Sequence, residues 1–293
     1  MSDAITLLAP AKVNLYLHVG AVQADGYHPL DSLVAFADVG DRLTLTRAET
    51  FSLEIGGPYG HALNAEDDNL VVRVLLALAN HLGMDDLPLA VSLDKRLPIA
   101  AGLGGGSSDA GAALRGANEL LKLGLDDAVL EGLARAAGAD GPMCYRAQPA
   151  FAGGVGEQLE AVDLPPLHAV LVNPGLPSPT GAVYQAYDAG DTRQADRPDT
   201  AMPASAQSLL GWLAQQRNDL EQPALSITPD IAKPMEALSA LETCRLVRMS
   251  GSGATVFGLF DDAASALDAA FALERDGWWV RPTVLGAPAL RLG

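Results

Sequence analysis

The 293-residue chain contains few cysteines and few aromatic residues. Its two cysteines, Cys144 and Cys244, form no Cys-x-x-Cys pair and have no histidine at metal-ligand spacing. This argues against a zinc site and fits a reducing, cytoplasmic setting. Aromatic residues make up only 5% of the chain. That content is too low for a stacking surface that would bind single-stranded nucleic acid.

Basic residues are also scarce. The chain has 19 Lys and Arg against 36 Asp and Glu, a formal net charge of −17. Such a protein has no overall attraction for nucleic acid or an anionic membrane. No apolar run reaches about 18 residues, and the first residues lack a signal-peptide pattern. We therefore expect a small-molecule partner, and any phosphate must be bound by a local group of donors.

Hydrophobic residues make up 49% of the chain, which indicates a folded protein. Apolar residues alternate over 13–19 and predict a strand with one buried face. Similar alternation around 43–45 and 51–55 predicts an antiparallel sheet. Asp68 and Asn69 are candidate caps of a helix over 70–81, and Gly83 would end it. A short strand is expected at 89–93.

The remaining segments complete an α+β pattern. Helical periodicity predicts helices after residue 109, ending near Gly124, and over 126–137. Residues 173–205 read as a long exposed loop around a short amphipathic piece at 183–187. The later segments give helices and strands in mixed order, with helices predicted at 206–215, 229–241 and 263–275, and strands at 245–249, 254–260 and 278–284.

The strongest local signal is a glycine-rich loop that leads into a helix. Four glycines fall within residues 102–106, and Lys95 and Arg96 precede them. Such a loop lets the backbone approach a ligand, and the helix start supplies free N–H groups. It predicts a phosphate site, although a simple turn capped by Asp109 or a serine is the alternative. The loop consists of Pro98, Ile99, Ala100, Ala101, Gly102, Leu103, Gly104, Gly105, Gly106, Ser107 and Ser108.

Three standard motifs do not fit this loop. A Walker A loop needs a lysine after the last glycine, and none follows Gly106. The dinucleotide fingerprint needs a glycine at position 107, where the chain has Ser107. The nucleophile elbow G-x-S-x-G does not match either.

The segment PIAAGLGGGSSDA resembles the second motif of the GHMP small-molecule kinases. Residues 10–15 (PAKVNL) and 249–257 (MSGSGATVF) resemble the other two motifs of that family. The further segments ADGYHPLDSL, AGADGP and FAGGVGE resemble one branch, whose acceptor carries a cytidine diphosphate in the non-mevalonate isoprenoid pathway. The resemblance runs from about residue 9 to 260 and does not include 188–205.

This resemblance implies a two-domain GHMP kinase fold. Residues 1–160 would form a ribosomal-protein-S5-domain-2-like ATP-binding domain, and residues 161–293 a ferredoxin-like substrate domain. ATP would lie on the glycine loop, and its γ-phosphoryl group would pass to a hydroxyl of the acceptor. The chemistry implies Mg²⁺, with no ligand assignable. The expected state is a monomer or a weak homodimer.

By the same resemblance, Asp140 and Lys12 are the catalytic residues. From sequence alone, Asp140 with Gly141 is a turn, and Lys12 is an exposed strand lysine. Asn69 and Lys95 are further candidates for ATP contacts. The expected substrate-binding residues are Asn14, Tyr27, His28, Thr180, Tyr184, Gly251, Ser252 and Gly253.

One stretch departs from the family pattern. Around Asp140 the family has Val or Ile at position 141 and an aromatic residue near 143–144. This chain has Gly141, Met143 and Cys144 there, which puts the packing around Asp140 in question.

Three other functions stay open. The nearest is another kinase of the same family, of the homoserine or mevalonate type. A non-catalytic nucleotide-binding protein would bind ATP without forming ADP. An NAD-dependent oxidoreductase is disfavoured, since no acidic residue is placed for a ribose in a Rossmann unit.

Overall fold

Two long antiparallel strands form the centre of the fold. A computed structural model describes residues 4–63, 69–190, 192–275 and 277–292. Strand β1 (Ala4–Val19) pairs with β2 (Leu30–Arg47) over nearly its whole length. Two register shifts flank the stretch from Lys12 to Asn14. Such irregularities redirect nearby side chains, and this stretch faces the site described below.

The prediction of one buried face for β1 was wrong, because both faces are buried from Leu7 to Val19. The polar side chains on the second face have partners inside the protein. Tyr16 donates a hydrogen bond to Asp31, and His18 Nδ1 lies 2.7 Å from the carbonyl oxygen of Asp196. Partners of this kind replace water and allow polar groups to be buried.

The pairing of the next two strands also differs from the prediction. Strand β3 (Ser52–Gly56) does not pair with β2. It lies parallel to β4 (Leu89–Asp94), and helix α1 (Leu70–Leu82) connects the two. β4 is antiparallel to β2. Parallel neighbours need a crossover connection. The helix between these strands therefore indicates their parallel pairing, which the alternation of apolar residues alone does not reveal.

The second half has the strand order of a ferredoxin-like unit. Strands β7 (Leu167–Asn173), β8 (Cys244–Met249), β9 (Val256–Phe260) and β10 (Trp279–Gly286) lie in the spatial order β10-β7-β9-β8. Helices follow the first and third strands, which gives the β-α-β-β-α-β sequence of that unit.

Strand β10 connects the two halves of the chain. It pairs with β7 over its whole length before the final residue, and its last two residues pair with Ala37 and Phe36 of β2. With β5 (Ala150–Gly153) and β6 (Gln158–Ala161), the described residues form one ten-stranded sheet. The α+β class is confirmed. The division at 160/161 stays a prediction, because the sheet continues across it.

The predicted helices are present. The side chain of Asn69 caps α1 by accepting a hydrogen bond from the Val71 N–H at 2.9 Å, and Gly83 ends it in the left-handed region. Asp68, the other candidate cap, lies outside the described residues. The later predicted helices are α2 (Gly105–Leu121), α3 (Asp127–Ala134), α6 (Ala206–Leu213), α8 (Ala232–Ser239) and α9 (Ala263–Leu273). The predicted start of α2 was wrong, because the helix begins directly after its N-cap Gly104 and not after residue 109.

Three helices were not predicted in full. Helix α5 (Thr180–Asp188) occupies the segment that reads as a loop with a short amphipathic piece. Two further short helices are α4 (Gly141–Arg146) and α7 (Glu221–Ile227). Each is short and contains proline or glycine, so its apolar periodicity is too brief to detect. None of the described helices has the length and apolar character needed to cross a membrane.

Candidate active site

A cavity of about 870 Å³ opens between the glycine-rich loop, β1, α5 and the turn that joins β8 to β9. It collects residues from the whole length of the chain. The predicted site residues that line it are Lys12, Asn14, Tyr27, His28, Asn69, Lys95, every residue from Pro98 to Ser107, Asp140, Thr180, Tyr184, Gly251 and Ser252.

Two predicted residues lie outside this lining. Ser108 is completely buried within α2. Gly253 packs close to Met249 and Ile231 behind the β8–β9 turn. Neither residue lines the cavity, so a contact between these residues and a ligand remains a prediction.

Backbone contacts hold the glycine-rich loop in place. The Lys12 N–H donates to the Leu103 carbonyl at 2.8 Å, and the Thr255 N–H donates to the Ala101 carbonyl at 3.1 Å. Gly104 is the N-cap of α2 in the left-handed region, with no side-chain cap hydrogen bond. The first N–H groups of α2 therefore have no capping side chain, and they and the helix dipole favour an anion.

A buried ion-pair cluster lies beneath this loop. The Lys95 ammonium group pairs with Asp41 and with Asp109, the latter at 2.7 Å. Burial raises the pKa of the Asp109 carboxyl, and the adjacent Lys95 ammonium opposes that shift and favours the ion pair. Asp41 also accepts hydrogen bonds from the Arg96 and Leu97 N–H groups. Lys95 thus fixes the strand end that leads into the loop, and its contact with ATP stays a prediction.

The structure brings together the two residues predicted to be catalytic. Lys12 Nζ lies 3.2 Å from Asp140 Oδ2, although the residues are 128 positions apart in sequence. Asp140 immediately precedes α4, and its side chain is 41% exposed toward the cavity, whereas that of Lys12 is 9% exposed. A cation beside a carboxylate that is open to a ligand is a suitable arrangement for moving a proton.

The departure from the family pattern has a packing explanation. A side chain at Gly141 would collide with the Ala134 carbonyl, because the turn after α3 runs directly beside it. Met143 and Cys144 are buried against Val34 and Phe36. Side chains and backbone therefore pack closely around the segment that carries Asp140. Burial also raises the pKa of the Cys144 thiol to about 12, which disfavours its reactive thiolate form.

Aromatic rings form the opposite end of the cavity. The rings of His28 and Tyr184 are 4.7 Å apart, and His28 Nε2 lies 2.7 Å from Asp188 Oδ1. Burial, followed by the nearby charge of Asp140, raises the pKa of Tyr184 to about 12. Tyr27 is 60% exposed at the cavity mouth. These rings can hold a flat, polar-edged ligand.

Polar groups connect this end to the middle of the cavity. The Asn14 amide donates to Ser32 Oγ at 2.8 Å, while its Oδ1 is buried and has no hydrogen-bond partner among the described residues. Thr180 and Ser252 share a hydrogen bond of 2.9 Å between their hydroxyls. An unpaired buried acceptor beside a cavity is suited to bind a donor on a ligand.

Several residues in and around the site were missed by sequence reasoning. Asp41, Asp109 and Asp188 pair with predicted residues, and Ser250 and Asn218 support the β8–β9 turn. Each acts through a partner that is distant in sequence. No local pattern identifies such pairs, and only Asp109, directly after the glycine loop, and Ser250, in the segment 249–257, lie within a motif.

Comparison with known families decides the class of the protein. The model described as GHMP kinases N terminal domain matches residues 69–148, and the one described as GHMP kinases C terminal matches residues 201–277. The chain belongs to the GHMP kinases. Members of this family are kinases that use ATP, and the glycine-rich loop of this GHMP kinase lies within the first matched segment.

Relatives of this GHMP kinase cover almost the whole chain. The 4-diphosphocytidyl-2-C-methyl-D-erythritol kinase of Caulobacter vibrioides strain NA1000 is 50% identical over 94% of this chain and 98% of the relative. The enzyme of the same name from Methylorubrum extorquens strain PA1 is 47% identical over 96% of this chain and 99% of the relative.

Solved structures agree with the fold. A crystal structure of 4-(cytidine 5'-diphospho)-2C-methyl-D-erythritol kinase is 36% identical, with a TM-score of 0.76, and covers 96% of this GHMP kinase and 99% of that chain. Homoserine kinase from Cytophaga hutchinsonii is 18% identical, with a TM-score of 0.66, over 98% and 96% of the two chains. The second likeness shows the shared two-domain fold alone.

Proposed function

We propose that this GHMP kinase transfers the γ-phosphoryl group of ATP to the 2-hydroxyl of 4-diphosphocytidyl-2-C-methyl-D-erythritol. This is a step of the non-mevalonate isoprenoid pathway. The observation that carries the proposal is the Lys12–Asp140 pair, which lies in one cavity between an anion-binding helix start and a group of aromatic rings. Relatives that are named as kinases of this compound cover nearly the full chain.

The two ends of the cavity suit the two substrates. The phosphates of ATP would accept hydrogen bonds from the backbone at the start of α2, with Asn69 and Lys95 as further ATP contacts. The cytosine ring would stack on Tyr27, His28 and Tyr184, because aromatic faces bind any flat base. Asn14, Thr180 and residues Gly251, Ser252 and Gly253 would bind the polar part of the acceptor.

The reaction would take place at the Lys12–Asp140 pair. Asp140 would orient the acceptor hydroxyl and accept its proton as the oxygen attacks the γ-phosphorus. The bond from the γ-phosphorus to the bridging oxygen breaks, and ADP leaves. Lys12 would stabilise the charge on the transferred group.

Mg²⁺ is part of the proposal. The described residues contain no cluster of three His, Cys, Asp or Glu side chains at metal-binding distance. They nevertheless fit Mg²⁺, because this ion is usually held by substrate phosphates and one or two carboxylates, and Asp140 is open to the cavity. When bound, the ion would neutralise phosphate charge.

The setting of the reaction is proposed as well. Cys144 and Cys244 are free thiols, which supports a reducing, cytoplasmic location. We propose that the partner is a small-molecule acceptor and that the protein is a monomer or a weak homodimer. Binding of nucleic acid is not expected, because the net charge of the chain is −17.

The test measures ADP release with ATP and Mg²⁺ in the presence and absence of the cytidine acceptor. We expect acceptor-dependent ADP release, and we expect Asp140→Asn to lower kcat by about 10²–10⁴-fold. Asp261→Asn, which removes the charge of an exposed surface residue, is the matched control and should match the wild type.

Two outcomes would overturn the proposal. If ADP release depends on homoserine or mevalonate and not on the cytidine acceptor, the family assignment holds, but the proposed substrate is wrong. ATP binding without ADP release for any acceptor would indicate a nucleotide-binding protein.

A further inference from the structure

Residues 217–220, which lie between α6 and α7, and Glu221, the first residue of α7, form a connector that contacts two strands of the site. On one side, the Leu17 N–H of β1 donates to the Arg217 carbonyl at 2.9 Å, and the Asp219 N–H donates to the Leu17 carbonyl at 2.9 Å. On the other side, the Met249 N–H of β8 donates to Glu221 Oε2 at 3.0 Å. The connector therefore joins the strand that carries Lys12 to the end of β8.

Asn218 lies at the centre of this connector and is 8% exposed. Its amide nitrogen donates to the Met249 carbonyl at 2.8 Å and to the Gly251 carbonyl at 2.8 Å. Its Oδ1 accepts from the Leu220 N–H at 3.0 Å. Both amide hydrogens and the amide oxygen are used, so one side chain fixes the backbone on both sides of Ser250.

The β8–β9 turn held in this way reaches three parts of the site. Gly251 and Ser252 line the cavity. Ser250 Oγ accepts from the Asn14 N–H at 3.2 Å and donates to the Gly102 carbonyl at 3.0 Å. A shift of the turn would therefore move the acceptor side of the cavity relative to β1 and the glycine loop.

We propose that Asn218 is a positioning residue that sets the β8–β9 turn against the acceptor. It touches neither substrate and acts through the Met249 and Gly251 carbonyls. The kinetic part of this inference rests on the proposed function, whereas the position of the turn can be measured without any substrate.

The test compares Asn218→Asp with Asn173→Asp. Asn173 is a matched control because it is also buried, donates to Thr255 Oγ1 at 3.0 Å and accepts from the N–H two residues later, that of Gly175. A carboxylate at 173 can still accept from the threonine hydroxyl. A carboxylate at 218 would face two carbonyl oxygens and cannot donate.

Two readouts are expected to separate these variants. In Asn218→Asp, hydrogen exchange of the Ser250 and Gly253 amides should accelerate about tenfold, because their local hydrogen bonds lose support. kcat/KM for the cytidine acceptor should fall by about 10²-fold, mainly through KM, as a misplaced binding group predicts. KM for ATP should change less than about twofold, and Asn173→Asp should resemble the wild type in both readouts.

Each result decides the inference. Equal exchange rates and equal KM values in the two variants would overturn it. A uniform loss of kcat with unchanged exchange at 250–253 would also overturn it, since a positioning role requires the turn to move. If the wild type does not phosphorylate the acceptor, the proposed function fails and the exchange result alone decides. Asn218→Ser, whose hydroxyl can donate only one hydrogen bond, replaces Asn218→Asp if that variant does not fold.

Discussion

The two ends of the cavity are built in different ways. The glycine-rich end presents backbone N–H groups, and a buried cluster of Lys95, Asp41 and Asp109 lies beneath it. The aromatic end presents the side chains of His28 and Tyr184, which come from distant segments and are steadied by a partly exposed contact with Asp188. The shape of the glycine-rich end depends on the stability of the fold, whereas the binding surface of the aromatic end depends on single side chains.

This difference predicts different failures. A change beneath the glycine-rich end should destabilise the whole protein, because buried charges cannot be left without partners. A change at the aromatic end should weaken binding of one substrate and leave the fold intact, because its residues are partly exposed to the cavity. The following variants test this contrast in order of expected effect.

The largest effect is expected for Lys95→Met. It leaves the carboxylates of Asp41 and Asp109 buried without their cation, which should lower the free energy of unfolding by about 3–5 kcal/mol. Urea denaturation followed by circular dichroism measures this change. Lys233→Met is the control, because Lys233 pairs with Asp230 at the exposed surface and should cost no more than about 1 kcal/mol. Equal losses in both variants would contradict the contrast.

A smaller and more specific effect is expected for Tyr184→Ala. Loss of a stacking ring costs about 1–3 kcal/mol of base binding, so KM for the cytidine acceptor should rise about 5- to 150-fold. KM for ATP and the free energy of unfolding should change much less. Steady-state kinetics with each substrate varied in turn measures this, and Tyr184→Phe, which keeps the ring, should behave like the wild type. An equal rise in KM for ATP would show that the two ends are not independent.

The smallest effect is expected for Asp188→Asn. This change keeps a hydrogen-bonding group beside His28 Nε2 and removes only a charge that is 35% exposed. A contact of this kind is worth about 0.2–1 kcal/mol, which corresponds to less than about a fivefold rise in KM for the acceptor. Asp261→Asn, remote from the cavity, is again the control. A rise as large as that of Tyr184→Ala would mean that the His28 ring is held mainly by Asp188.

The sequence predicts well those parts of the fold whose sequence pattern repeats over many residues. Helix α1 was predicted from its periodicity and from Asn69 and Gly83, and the structure confirms it within one residue. The glycine-rich loop was likewise visible, because a backbone site needs glycine at fixed positions. Local sequence determines these features, so local sequence reveals them. The start of α2 was not visible, since the helix begins at Gly105 and its first turn includes residues that read as loop.

The parts it missed depend on contacts between distant segments. The second buried face of β1 requires Asp31 and Asp196, which no alternation in β1 can indicate. The Lys95 cluster and the role of Asn218 have the same origin. Asp140 was identified only by resemblance, because its own sequence context is that of an ordinary turn.

The place of β10 between β2 and β7 has a consequence for the kinetics of folding. The Val284 N–H bonds with Asp38, 246 positions earlier in the chain, whereas β1 and β2 are joined by a short connection. Closing so large a loop is entropically expensive and slow. We therefore expect the β1–β2 hairpin to form early and β10 to dock late, so that the two halves of the cavity reach their final spacing only in the last step of folding.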